Sequence, residues 1–256
     1  MVKNDISKLV IFKAISVNVG STLTPIGNFQ NLFLWHKCDI SFVTFIIKTL
    51  PLVVLLLAIL LIFAWIVFSG KEIKFSEDTK DERTQKKILF TLSIAMLMVY
   101  VISLEIEQIH LVLLLVFIFY LIFYRKVLVK VDWLLLLLFI VIFIDFHVIA
   151  TMHVILESVN TLNLHFAGNV FLFFALTSQL VSNVPASVFV SKFSHNWLAI
   201  TYGVNVGGNG LVIGSLANII ALRMVKSKKI WLNFHKYSIP YFLITGGIAY
   251  ILFFVL

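Results

Sequence analysis

Three short stretches of this chain combine residue types that are rare between long apolar runs. Residues 17–31 read VNVGSTLTPIGNFQN, residues 204–218 read VNVGGNGLVIGSLAN, and SNVPAS occupies 182–187. Glycine lets a backbone approach a ligand closely, and proline removes a peptide donor and interrupts a helix. Asparagine, serine and threonine add neutral oxygens and hydrogen-bond donors. That set suits the holding of a small ion or anion by side-chain oxygens and freed peptide groups. It does not suit bond-breaking chemistry, and no phosphate loop, dinucleotide fingerprint or nucleophile elbow occurs. The single cysteine, Cys38, excludes an intrachain disulfide and a multi-cysteine metal site.

One further cluster holds titratable groups: Asp145, His147, His153 and Glu157. A metal-dependent intramembrane enzyme built on it would want two histidines at helical spacing beside a glutamate, as in HExxH, and the cluster lacks that pattern. Asp145 lies about 18 Å beyond Trp133 along a helix, in the outer half of a bilayer. An ionisable residue inside a span is a functional candidate by default, so Asp145 is a candidate proton- or cation-coupling group. The plainer reading, which we prefer, is an end-of-span cluster solvated at the outer interface. His110, His165, His195 and His235 fall in loops or span ends and receive no role.

Long apolar elements must position these groups. Of 256 residues, 61% are hydrophobic and 12% charged, with a mean hydropathy of +1.06. A soluble domain carries about 45–50% apolar and about 25% charged residues, so the expected fold is an all-α polytopic membrane protein. Spans of roughly 20 apolar residues are expected at 43–69, 88–104, 109–124, 132–149 and 237–256. Lys48 can snorkel from the end of the first. The loop 70–87 has six basic and five acidic residues and reads as a solvated linker. The regions 6–35 and 196–223 are apolar but interrupted by glycine and asparagine. The net charge of +8 sits in clusters between spans, which fits cytoplasmic loops and not nucleic acid. The N-terminal apolar run is broken by Lys13 and lacks a cleavage site, so it does not read as a signal peptide.

Charge parity orders the crossings. With 70–87 cytoplasmic, the turn at Glu105 and Glu107 falls outside, and Arg125, Lys126 and Lys130 fall inside. The stretch 150–167 falls outside, and 223–236, with five basic residues, falls inside. One crossing, 196–223, suffices between the last two. Residues 168–195 must therefore enter and leave on one face, as a re-entrant hairpin with its tip near 182–185. This places 17 of the 20 basic residues inside, all but Lys37, Lys48 and Lys192. The N-terminus is then cytoplasmic, and Cys38 and the C-terminus are outside.

The two interrupted segments match each other at seven of 15 positions: Val, Asn, Val, Gly, Ile, Gly and Asn. Parity sends one inward-to-outward and the other back, so the copies are inverted. Inverted repeats whose broken helices meet near the midplane are an architecture of secondary transporters, where helix ends and free carbonyls bind substrate and coupling ion. Glycines that merely allow close helix packing would be the alternative. Two matched segments beside a hairpin favour the binding reading.

GSTLTPIGNFQNLF (20–33), SNVPA (182–186) and GGNGLVIGSLAN (207–218) resemble the paired motifs of the ion transporter superfamily. This group includes citrate-transporter-like permeases, the arsenite-pump membrane subunit and divalent anion/sodium symporters. VDWLLLLLF (131–139) resembles the stretch ahead of the second hairpin in that family. The resemblance runs from about residue 8 to the C-terminus. It implies two inverted repeats, each with a re-entrant hairpin and an unwound helix, and no enzymatic activity. The implied function is secondary transport of small inorganic or organic anions, coupled to Na+ or H+, with no other cofactor. The implied site residues at the hairpin tip are Ser182, Asn183 and Pro185. In the first copy they are Asn18 and, in the unwound segment, Gly20, Ser21, Thr22, Thr24, Pro25, Gly27 and Asn28. In the second they are Gly207, Gly208, Asn209, Gly214, Ser215 and Asn218.

The chain departs from that pattern at Ser21 and Thr22, where the family favours Gly and Asn, and at Gly210, Leu211 and Val212. The larger departure concerns the first hairpin. By the spacing of Asn183 to Asn205, its tip would fall before Met1. The chain is therefore expected to correspond to the C-terminal part of such a transporter. Residues 1–69 would be the end of the first repeat, 70–87 the linker and 88–256 the second repeat. The expected partners are the bilayer, a small anion, and either a chain supplying further helices or a second copy. A non-transporting membrane partner is the other reading. The expected location is the cell membrane.

Overall fold

A computed structural model describes residues 3–68, 83–105, 109–149, 151–153, 157, 159, 162–190, 193–225 and 229–256. Parts of the charge-parity argument fall on residues outside these, including most of the loop 70–87, Glu107, Lys192, Lys226 and Lys228. The described residues are helical or in turns, with no strand among them. That outcome follows from the sequence. A chain this apolar must satisfy its peptide groups internally, and helices do so within one segment.

The chain divides into two compact units, one of residues 1–69 with 139–256 and one of residues 70–138. In the second, α4 (Arg83–Glu105) and α5 (Ile109–Phe123) pair, with the Ser93 and Tyr120 hydroxyls 2.9 Å apart. The basic cluster Arg125–Val129 forms a one-turn helix, α6. The indole of Trp133, first residue of α7 (Trp133–Ile149), donates to Leu128 O at 3.1 Å.

The larger unit holds the candidate site residues. Helix α1 (Lys3–Ser21) ends at a break and the chain resumes as α2 (Phe29–Lys37). A long helix, α3 (Phe42–Val67), follows, capped by the Ser41 side chain accepting from Thr44 N–H. Later come α8 (Ala167–Val181) and α9 (Asn183–Val190), then a second broken helix. Its halves are α10 (Trp197–Gly207) and α11 (Leu216–Arg223). The last helix, α12 (Ile230–Tyr250), ends in a wide turn, Ile251–Val255.

Among the described residues two helical stretches, Phe42–Val67 and Ile230–Val255, are long and apolar enough to cross a membrane, and shorter apolar helices also occur. Their outer faces are lipid-like: Trp65 is 81% exposed and Leu232 74%. Inward, Ile11, Ile15, Leu52, Leu56, Phe234 and Tyr241 form a core between α1, α3 and α12. Polar pins cross it. Tyr241 Oη donates to Leu56 O at 2.7 Å, and Tyr202 Oη donates to Lys48 O at 2.7 Å.

Element boundaries depart from expectation in one informative place. The last span was expected from 237, yet α12 begins at Ile230. Ile230 and Phe234 are fully buried one turn apart, and this face draws the basic stretch up to Lys236 into the helix. The loop before it is correspondingly shorter.

Candidate functional site

The first break covers 22–28. Gly27 is needed there because a side chain would collide with the Ser21 carbonyl oxygen. Asn28 then restarts the chain by capping α2, its Oδ1 accepting from Asn31 N–H at 2.8 Å. The second break covers 208–215, including a single tight turn, Val212–Gly214. Ser215 caps α11 through its hydroxyl, which accepts from Ala217 N–H. Gly20, Ser21 and Gly207, expected in unwound backbone, instead form the last helical turns of α1 and α10. Asn218, likewise expected unwound, lies in α11. The unwinding starts two residues past Gly20 in the first segment and one past Gly207 in the second, since glycine weakens a helix without ending it.

The hairpin breaks at one residue. Ser182 has φ 76° and ψ 154°, a region nearly restricted to glycine and costing about 1–3 kcal/mol. Asn183 and Pro185 then lie in the first turn of α9, where proline is tolerated. The Asn183 amide packs on the second break. A side chain at Gly208 would meet Asn183 Nδ2 at 2.8 Å. Gln179 of α8 also reaches that break, donating to Gly207 O and accepting from Leu211 N–H at 2.6 Å.

The two breaks interlock reciprocally. Asn18 Nδ2 donates to Asn218 Oδ1 and to Gly208 O, both at 3.0 Å, and Asn18 Oδ1 accepts from Ser215 Oγ at 3.0 Å. Asn205 Nδ2 donates to Asn31 Oδ1 at 2.7 Å, and Asn205 Oδ1 accepts from Asn28 Nδ2 at 3.0 Å. In the repeat alignment Asn18 matches Asn205, Asn28 matches Ser215, and Asn31 matches Asn218. Each leading asparagine grips the same two positions of the other segment. The internal bonds match too. Asn31 Nδ2 reaches back to Ser21 O and Thr24 O, and Asn218 Nδ2 reaches back to Gly208 O and Leu211 O, ten and seven residues in both cases. Thr22 Oγ1 lies 2.9 Å from Asn18 O, and Asn209 Nδ2 bonds the equivalent Asn205 O at 3.0 Å.

Most of the polar groups are thereby satisfied, as burial in a membrane demands. Among the described residues three oxygens are not: Ser182 Oγ and Asn209 Oδ1 here, and Ser238 Oγ on α12, are buried without a partner. The first two belong to the residues flanking the Asn183–Gly208 contact, one on the hairpin and one on the break. Both are neutral oxygens able to accept from a ligand or coordinate a cation. Pro25 is buried and Thr24 half-buried in the first break. Asp145 is exposed on α7 and stands outside this network. His153 and Glu157 are exposed and pair with each other at 3.4 Å, and the His147 side chain lies outside the described residues. Among the described residues no group of three His, Cys, Asp or Glu could hold a metal.

Sequence reasoning missed Asn205, Asn31, Gln30, Gln179 and His235. The first two were within reach, because they are the repeat partners of Asn18 and Asn218. Gln30 Nε2 joins Asn205 Oδ1 at 3.3 Å. His235 Nε2, expected to have no role, accepts from Val212 N–H at 3.2 Å.

Comparison with known proteins gives the family. The model of a family described as citrate transporter matches residues 1–196, taking in the first break and the hairpin. Inner membrane protein YbiR of Escherichia coli is 34% identical over 251 residues, 98% of this chain and 67% of its own length. An uncharacterised transporter of Methanocaldococcus jannaschii, MJ0456, is 37% identical over 250 residues, 97% of this chain and 64% of its own length. The chain thus spans about two thirds of these relatives. No solved structure matches. With 196 residues under the family model and nearly the whole chain aligned to both relatives, this multi-pass membrane protein belongs to the citrate transporter family.

Proposed function

We propose that the interlocked breaks and the hairpin tip form the substrate and ion site of a secondary transporter for small anions, coupled to Na+ or H+. The observation that carries this reading is the pair of orphaned oxygens, Ser182 Oγ and Asn209 Oδ1, beside an otherwise satisfied buried network. A membrane interior does not retain such atoms cheaply, and a bound ion or ligand accounts for them. The reciprocal bonding of 17–31 and 204–218 supports the inverted-repeat arrangement in which such sites form. The substrate would be held by peptide dipoles and neutral side chains, since neither break contains Lys or Arg. Asp145 remains a candidate coupling group that this site does not use.

The half-sites differ in cover. Gly207 is packed by the hairpin, where an added Cβ would meet Ser178 Cβ at 2.7 Å and Ala175 O at 2.8 Å. For Gly20, its repeat partner, an added Cβ meets no atom within 4 Å among the described residues. This supports completion of the first half-site by another hairpin, in a preceding segment, a partner chain or a second copy. The deciding experiment is uptake in liposomes against a panel of labelled anions, with imposed Na+ or H+ gradients. This polypeptide reconstituted alone is expected to show no saturable uptake, and the same chain with the completing helices is expected to show it. Robust uptake by the chain alone would count against the completion reading. Silence in both preparations, with folding verified, would count against transport.

The topology is proposed with the N-terminus and the stretches 125–131 and 223–236 on the cytoplasmic side, and Cys38 outside. Cys38 follows α2 and is partly exposed. Burial pushes its thiol pKa up, opposed by the neighbouring Lys37 charge. Its thiolate fraction therefore grows as pH rises. An impermeant maleimide should label intact cells, faster at higher pH, and labelling only after permeabilisation would reverse the orientation.

A further inference from the structure

The second break is held by adjacent peptide groups pulled in two directions. Leu211 N–H bonds Gln179 Oε1 on the hairpin, and Val212 N–H bonds His235 Nε2 on α12. The two acceptors differ in one respect. The glutamine amide does not titrate near neutral pH, whereas an imidazole does. Nε2 can accept only when the ring is neutral with its proton on Nδ1, because both nitrogens of the imidazolium are donors.

We infer that His235 is a positioning residue for the second break: its neutral imidazole anchors the Val212 peptide to α12, and protonation releases that anchor. The inference rests on the proposed transport site, since the released segment, 212–214, joins Asn209 to Ser215. Val212 is buried, so its N–H has little access to replacement water, and the loss of its partner must shift the segment. His235 is half-buried, which leaves the ring within reach of protons.

Helices α1, α3, α8 and α10 and the turn Val212–Gly214 pack against α12. Their titratable groups with described side chains are Lys8 and Lys13 on α1, Lys48 on α3 and Tyr202 on α10; α8 and the turn carry none. The helix itself adds Lys236, Tyr237, Tyr241 and Tyr250, with Lys229 just before it and Arg223 ending α11. No carboxylate occurs among these described side chains.

The test is hydrogen–deuterium exchange of the full chain in lipid nanodiscs. It is read on a peptide covering 208–215, corrected for intrinsic rates and referenced to one from α8, between about pH 5 and about pH 8. In the wild type, protection should fall roughly three- to tenfold as pH drops, the equivalent of one net hydrogen bond. His235→Gln offers an acceptor oxygen that does not titrate, so its protection should stay level with pH. His235→Leu should lack the protection even at about pH 8. Wild-type protection that ignores pH, a Gln variant that falls with pH as the wild type does, or a Leu variant fully protected at high pH would each overturn the inference. Should the Leu variant fail to fold, wild type against His235→Gln still decides. The readout requires no substrate, so uptake missing from both liposome preparations would count against the transport site alone, and unaltered exchange against His235 alone.

Discussion

Asn205→Leu will abolish uptake by the transporting assembly and lower the thermal stability of the purified chain more than any other single change at the two breaks. Asn205 is 2% exposed. Its Oδ1 receives Thr22 Oγ1 at 3.2 Å, Asn28 Nδ2 at 3.0 Å and Gln30 Nε2 at 3.3 Å. Its Nδ2 donates to Asn31 Oδ1 at 2.7 Å and to Thr201 O at 2.8 Å. Leucine has the same number of side-chain heavy atoms and removes all five bonds, although Thr22 Oγ1 keeps Asn18 O and Asn28 Nδ2 keeps Ser21. An unsatisfied buried group costs about 1–3 kcal/mol. Some groups will re-pair, so the net loss should be about 3 kcal/mol. Asn169→Ala is the control: Asn169 bonds Asn163 O in an exposed setting, and its removal should change stability by no more than about 0.5 kcal/mol. Combining Asn205→Leu with Asn31→Leu should cost less than the sum of the two, because each removes the same bond. Wild-type melting and uptake in Asn205→Leu would show that the breaks are not held together through this residue.

The membrane class, the apolar spans and the three polar interruptions were legible because each is a property of consecutive residues. The reciprocal network was half legible. The repeat alignment paired Asn18 with Asn205 and Asn218 with Asn31, yet only one member of each pair was taken as a site residue. A two-fold relation between segments obliges a contact at one copy to have its mate at the other, so symmetry was the available signal. Gln179 and His235 were not legible by any such route. Gln179 reaches the second break only because the chain turns back at Ser182, and His235 reaches Val212 only because α12 starts seven residues ahead of its apolar stretch. A window that averages hydropathy starts the span where lysine stops. The helix starts where a buried face can be made, and Ile230 and Phe234 make one.

Opposite signs are expected at the two matched glycines. Gly207→Val should destabilise the chain by about 1–3 kcal/mol, the usual range for overpacking. Its Cβ would press on Ser178 Cβ and on the Ala175 carbonyl, which is backbone and cannot rotate away. Gly203 stands one turn earlier against Phe171 O and Phe174 Cβ, at 2.5 and 2.7 Å, so the hairpin arm rests along a glycine ridge of the kind that brings membrane helices close. Gly20→Ala meets no atom within 4 Å among the described residues. It should stabilise by up to about 1 kcal/mol, the helix-propensity difference between the two residues. The same Gly20 face behaves differently in an assembly that transports. If another hairpin seats there as α8 seats on Gly207, Gly20→Val will leave the isolated chain folded and will abolish uptake by the complete transporter. Melting curves of the purified variants and liposome uptake by the assembled ones separate the two effects. Full uptake by Gly20→Val would mean that this face meets lipid, and that the two breaks form the site with a single hairpin between them.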